Sequence, residues 1–215
     1  MNARIRRTTG LVSAAVMLPL ALSACSGSDS DSDSAKSDSK TSASASAPES
    51  SAGMSTMDQP FGPGCASVPK NGAGSFDGMA KDPVATAASN NPALSTLVAA
   101  VKKAGLVDTL NNAQNITVFA PTNDAFNKIP KATLDKVLAD KAQLTKILTY
   151  HVVGQKLAPK DLENGSFDTL EKSKVMTSGM GESYTVNDSS KVVCGNVKTA
   201  NANVYIVDTV LMPKS

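Results

Sequence analysis

Tryptophan is absent from this 215-residue chain, histidine occurs once, and aromatic residues make up only 4% of it. With so few rings, a core has to be built from Ala, Val, Leu and Ile. A single histidine leaves little for acid–base catalysis and rules out any ordinary zinc set, and no Cys-x-x-Cys spacing occurs. The chain also lacks a Gly-x-Ser-x-Gly elbow and a Gly-rich phosphate loop. These absences argue against an enzyme and imply no cofactor and no metal. Excess positive charge is missing too. The formal charge is +2, and most of the first 60 residues differ in character from the rest. Without Arg4, Arg6 and Arg7, the 21 basic residues become 18 against 19 acidic ones, a formal charge of −1. Such a chain has no electrostatic footprint for nucleic acid, so no nucleic-acid partner is expected.

Residues 1–24 read as an export leader. Arg4-Ile5-Arg6-Arg7 is a charged n-region, and Leu11 to Leu22 is an apolar stretch too short to span a bilayer as a helix. Leu22-Ser23-Ala24-Cys25 resembles a bacterial lipobox, in which the Cys25 thiol receives a diacylglycerol and becomes the mature N-terminus. The expected location is the extracytoplasmic face of the cell membrane, with the membrane itself as a partner through that lipid. Residues 25–60 then form a Ser/Asp/Ala-rich tether. Residues 26–52 hold twelve serines and no Val, Ile, Leu, Met or aromatic residue, a composition that cannot offset the entropy of ordering. Asp29, Asp31 and Asp33 superficially suggest a calcium loop. The glycine and glutamate that such a loop needs are Ser34 and Lys40 here.

With Cys25 acylated, Cys65 and Cys194 remain as a pair in an exported protein, which is where disulfides persist. Their bridge would close a loop of about 130 residues, worth roughly 4–5 kcal/mol on chain-entropy grounds. It would staple a Gly/Pro-rich lead-in, residues 61–76, to the C-terminal part of a folded domain at 77–215.

Within that domain the hydrophobic period is regular. Asn91-Pro92 starts a helix, Leu94, Leu97, Val98 and Val101 form its apolar stripe, and Gly105 stops it. Thr117–Ala120 reads as a strand closed by Pro121, with Thr122 or Asn123 capping a short helix from Asp124 to Lys128. A helical pair follows, carrying Leu134, Val137 and Leu138, then Leu144, Ile147 and Leu148. After Val153-Gly154 short strands are expected near Lys174–Thr177, Tyr184–Val186, Lys191–Val193 and Val204–Leu211. Helices first and strands later indicate an α+β domain. In the last strand Val204 and Ile206 point one way and Tyr205 and Val207 the other, so it belongs in the centre of the fold. Phe119 and Phe126 are expected as partners in one core.

Three of these segments carry a resemblance. Thr117-Val118-Phe119-Ala120-Pro121-Thr122-Asn123-Asp124-Ala125-Phe126 resembles the first signature of the fasciclin (FAS1) domain. Tyr150-His151 is similar to its central Tyr-His pair. Val204-Tyr205-Ile206-Val207-Asp208-Thr209-Val210-Leu211-Met212-Pro213 is similar to its second signature. The Gly62-Pro63-Gly64-Cys65-Ala66 and Val193-Cys194-Gly195 segments further resemble mycobacterial fasciclin-domain surface antigens. The resemblance implies a wedge-shaped β-sandwich with helices packed along it. It also implies a role in adhesion or surface interaction without catalysis. On this reading Thr117, Phe119, Pro121, Thr122, Asn123, Phe126, Val204, Ile206, Asp208, Val210, Leu211 and Pro213 are structural.

His151 has two readings. Following the stripe at 144, 147 and 148, it is expected to be a hydrogen-bonded core residue. The family resemblance instead makes Tyr150 and His151, with Leu148, Val152 and Val153, a candidate adhesion surface. The leading function is a surface recognition module that binds protein or glycan. The alternative is an extracytoplasmic carrier of a small apolar ligand, for which a pocket lined by Val and Leu would speak.

Overall fold

The structure is a computed structural model that describes residues 58–213. The leader, Cys25 and most of the tether lie outside the described residues. Strands β1 (Ile116–Pro121) and β7 (Ala202–Val207) are buried along their whole length. They run parallel, with Val118 opposite Val204 and Ala120 opposite Ile206. Strands that are apolar on both faces have to be covered on both, and these two lie inside a seven-stranded sheet.

The other strands are β2 (Val152–Val153), β3 (Asn164–Asp168), β4 (Lys174–Met180), β5 (Ser183–Val186) and β6 (Ser190–Lys198). Their order is β2-β1-β7-β6-β5-β4-β3, and the pairs other than β1–β7 are antiparallel. β6 pairs with β5 at its start and with β7 further on, and its register shifts between Val192 and Cys194 and again before Val197. Such bulges bend a strand and increase its twist, and here they turn the sheet back on itself. The far ends meet. Val153 bridges Thr169, and Leu170 N–H donates to the Val152 carbonyl at 2.8 Å. A barrel-like sandwich results.

Two cores follow from the alternation of side chains along β1 and β7. Phe119, Tyr205 and Val207 point into the barrel with Val153, Val175 and Val186. Val118, Ala120, Val204 and Ile206 face outward under a layer of helices. The expectation that Phe119 and Phe126 share a core is therefore corrected. Phe119 is odd in a strand whose even positions face the helices, whereas Phe126 lies on the helical side. The last strand also ends earlier than expected, at Val207, beyond which Asp208 N–H still donates to the Lys191 carbonyl at 3.0 Å.

The helical layer holds α1 (Phe76–Met79), α2 (Val84–Ser89), α3 (Ser95–Ala104), α4 (Val107–Asn112), α5 (Asn123–Asn127), α6 (Lys131–Ala139) and α7 (Lys141–Tyr150). Asn91 caps the start of the α3 region as expected, although the first turn, Pro92–Leu94, is a 3-10 turn. Gly105 ends α3 at φ 76°, a left-handed conformation that glycine adopts without a Cβ penalty. Thr122 caps α5, and Asp140 caps α7 by accepting from Ala142 and Gln143 N–H. Among the described residues no helix is long and apolar enough to cross a membrane.

The lead-in is part of the fold. Phe61 forms an antiparallel bridge to Gly195, and Cys65 is disulfide-bonded to Cys194 with Cα atoms 4.8 Å apart. Gly62, at φ 102°, presses so close to β6 that a Cβ there would come within 2.5 Å of the Val193 carbonyl oxygen.

Candidate functional site

α7 ends in the Tyr-His pair, and both side chains turn inward. The His151 ring is 2% exposed. Leu211 N–H donates to Nε2 at 2.9 Å, so Nε2 carries no hydrogen. Nδ1 is then the protonated nitrogen, and it donates to the Ile147 carbonyl at 2.7 Å. Burial lowers the pKa to about 4, against the opposing pull of the Ile147 carbonyl. This imidazole is neutral and has no free nitrogen. Asp208, the carboxylate of a conceivable triad, is engaged elsewhere. Its side chain accepts from Lys191 N–H at 2.8 Å, Lys128 Nζ at 3.1 Å and Thr209 Oγ1 at 3.0 Å. Burial pushes the Asp208 carboxyl up, but these bonds outweigh it and leave the pKa below the ordinary value.

Tyr150 points into the barrel. Its hydroxyl donates to the Lys174 carbonyl at 3.0 Å and accepts from Asn187 Nδ2 at 2.7 Å, tying α7 to the β4–β5 hairpin. Leu148, Tyr150, His151, Val152 and Val153 are each at most 5% exposed. The candidate adhesion surface at these positions is thus corrected. Period and tertiary hydrogen bonding direct all five inward, and a partner cannot touch them in the folded state.

The signature residues are structural in the same way. Thr117 Oγ1 donates to the Gln155 carbonyl and accepts from Leu157 N–H, each at 2.8 Å. Asn123 Oδ1 accepts from Thr96 N–H at 2.9 Å and Nδ2 donates to the Pro92 carbonyl at 2.9 Å, joining α5 to the start of α3. Val210 and Leu211 are buried, whereas Pro213 is half-buried at the end of the described chain.

Among the described residues, two features offer a ligand apolar surface. The first is a cavity of about 120 Å³ between the β1–β7 face and helices α2, α3 and α4. Val118, Val204 and Ile206 form its floor, and Leu97, Val101 and Leu110 its walls. α2 presents Ala85, Ala87 and Ala88 to this space, where larger side chains would have filled it. Among the described residues, Lys102 and His151 are the only ionisable side chains of the lining, and no carboxylate belongs to it.

The second feature is the outer face of β3, β4 and β5. Lys174, Met176, Ser178 and Met180 alternate with inward residues along β4. Met176 is 60% exposed and Met180 76%. Ser166 lies opposite Met176, and Ser183 opposite Met180. The alternation of β4 carries this signal. Among the described residues no group of three or more His, Cys, Asp or Glu could hold a metal ion.

This architecture and these signatures define a fasciclin domain. Residues 92–213 match the fasciclin domain family, and the chain belongs to it. The immunogenic protein MPB70 of Mycobacterium bovis is 49% identical over 160 residues, which is 71% of this chain and 81% of that one. The cell surface glycolipoprotein MPB83 of the same species is 48% identical over 161 residues, 71% of this chain and 72% of that one. Protein sll1483 of Synechocystis is 37% identical over 128 residues, 59% of this chain and 71% of its own length. The solved FAS1 domain pair of the insect cell adhesion molecule fasciclin I matches the fold with a TM-score of 0.52 at 21% identity. That match covers 63% of this chain, which spans about half of the insect chain (52%).

Proposed function

We propose that this chain is a lipid-anchored cell-surface recognition module that binds a protein partner through the outer face of β3–β5. The carrying observation is the pair of exposed methionines, Met176 and Met180. Four residues apart on one face of β4, they stand about 13 Å from each other. Flexible thioether side chains suit adaptable contacts, and exposed apolar groups rimmed by polar ones mark interaction surfaces. Ser166, Ser178, Ser183 and Thr185 supply that polar rim. A relative named as a cell surface glycolipoprotein supports the location, and the lipobox at Cys25 supports the anchor.

The test is attachment. Cells displaying the chain are compared with cells displaying Met176→Lys/Met180→Lys on protein-coated, glycan-coated and bare surfaces, with the soluble protein as competitor. The proposal predicts protein-dependent attachment that the soluble protein inhibits and the double variant loses. Equal attachment by both chains would remove the face, and attachment to glycan alone would move the reading to sugar. The anchor is tested separately, by fatty-acid labelling that Cys25→Ala abolishes.

A second reading, a carrier of small apolar molecules, is favoured by the Val- and Leu-lined cavity.

A further inference from the structure

We infer that the cavity is a site for an anionic single-chain amphiphile, a fatty acid of medium length, with its tail against the sheet and its carboxylate at Lys102. This rests on the carrier reading and goes further by naming the ligand's chemistry.

The tail end follows from the lining. A cavity of about 120 Å³ is close in size to the engineered apolar cavity of about 150 Å³ that stays dry and takes benzene. A handful of carbons fits, so the interior accepts the end of a chain. Dry apolar walls of Val, Leu and Ala lose contacts while empty and regain them from a hydrocarbon.

The head follows from the rim. From Leu94, the residue just before α3, to Lys102 within it is about 12 Å at 1.5 Å per residue, so Lys102 stands a chain's length from the first contact. Thr86 and Ser89 on α2 are the exposed polar residues of the same rim. Ser89 Oγ donates to the Thr86 carbonyl at 2.6 Å and Thr86 Oγ1 accepts from Asn111 Nδ2 at 3.2 Å, so neither brings a charge to the rim. Lys102 has no carboxylate partner among the described residues. A cation beside an apolar cavity without any acidic lining selects a negative head over a neutral or positive one.

The test uses protein expressed from Ser26, so that neither leader nor lipid is present. Binding of decanoate, decanol and decylamine is measured by titration calorimetry at low and high salt. Ala88→Leu, which adds bulk at the half-buried edge of the cavity, and Lys102→Gln are measured alongside. Decanoate should bind more tightly than decanol and decylamine, and salt should weaken it. Lys102→Gln should cost decanoate about fivefold, the upper range for one exposed charge pair, and leave decanol unchanged. Ala88→Leu should abolish both while the thermal midpoint stays the same or rises. Equal binding of decanoate and decanol would overturn the carboxylate assignment and leave the carrier reading standing. Absence of binding by all three would overturn both. Binding that survives Ala88→Leu would place the site elsewhere and overturn the inference.

Discussion

Leu211 N–H donates to His151 Nε2 at 2.9 Å across 60 residues of sequence. That bond joins the end of α7 to the segment after β7, and so joins the central motif of the fold to its last one. The same ring donates to Ile147 one turn earlier. Replacing His151 with Ala removes both partners from buried backbone groups and opens a cavity, which costs about 2–4 kcal/mol. Urea unfolding of the two proteins measures it, and a difference below about 0.5 kcal/mol would mean that the ring is not structural.

The lowered pKa of His151 makes stability depend on pH. The neutral ring is favoured in the folded state, so its contribution is complete above the unfolded value near 6.5. It is lost as pH falls from there towards about 4, because the unfolded chain binds the proton first. The loss over that window is on the order of 3 kcal/mol. His151→Phe, though less stable at neutral pH, should lose less than the native protein between those limits in thermal scans.

Thr117 is buried in β1 and bonded to Gln155 and Leu157 of the connection that follows β2. Thr117→Val preserves shape but leaves the Gln155 carbonyl and the Leu157 N–H without that partner, so about 1–3 kcal/mol should be lost. A hydroxyl-free variant as stable as the native chain in urea would show that these groups find other partners.

Asp208 and Lys128 form an ion pair at 3.1 Å, but the two are not equivalent. Lys128 is largely exposed, and its removal should cost less than about 1 kcal/mol. Asp208 also accepts from Lys191 N–H, so Asp208→Ala should cost about 1–2 kcal/mol. Chemical denaturation of both variants gives the order. An equal loss would assign the whole effect to the ion pair.

The Cys65–Cys194 bridge spans 129 residues of sequence and fixes the lead-in on β6. Reduction, or Cys65→Ala/Cys194→Ala, should lower stability by roughly 4–5 kcal/mol on chain-entropy grounds. Thermal unfolding with and without reductant measures this, and no shift would mean that the bridge is absent in solution.

Much of the fold was legible. β7 could be placed centrally because its alternating residues are apolar on both faces, and the α3 region was bounded by Asn91 and Gly105. The cysteine pairing was expected from the two cysteines left over if Cys25 is acylated, and Cys65 and Cys194 are bridged. β3 was not readable, because Asn164-Gly165-Ser166 looks like a loop and becomes a strand only by pairing with β4. α2 was missed because Ala85, Ala87 and Ala88 give a weak stripe. Phe119 was assigned to the wrong core because seven residues of separation say nothing about which face a strand turns to a following helix. The cavity could not be read at all, since a void depends on how alanines of one element stand against the valines of another. The stripe at 144, 147 and 148 made His151 legible as a hydrogen-bonded core residue, but its partner Leu211 and the Lys174 partner of Tyr150 were not, being distant in sequence.

The Tyr-His pair belongs to the interior, its ring held by Leu211 and Ile147 and its hydroxyl by Lys174 and Asn187. Nitrogen and carbon NMR of the single imidazole, followed from pH 8 to the onset of acid unfolding, tests it most directly. The expected result is a neutral ring protonated on Nδ1 that shows no titration until the pH approaches about 4. A ring that titrates near 6.5, or that carries its proton on Nε2, would contradict it.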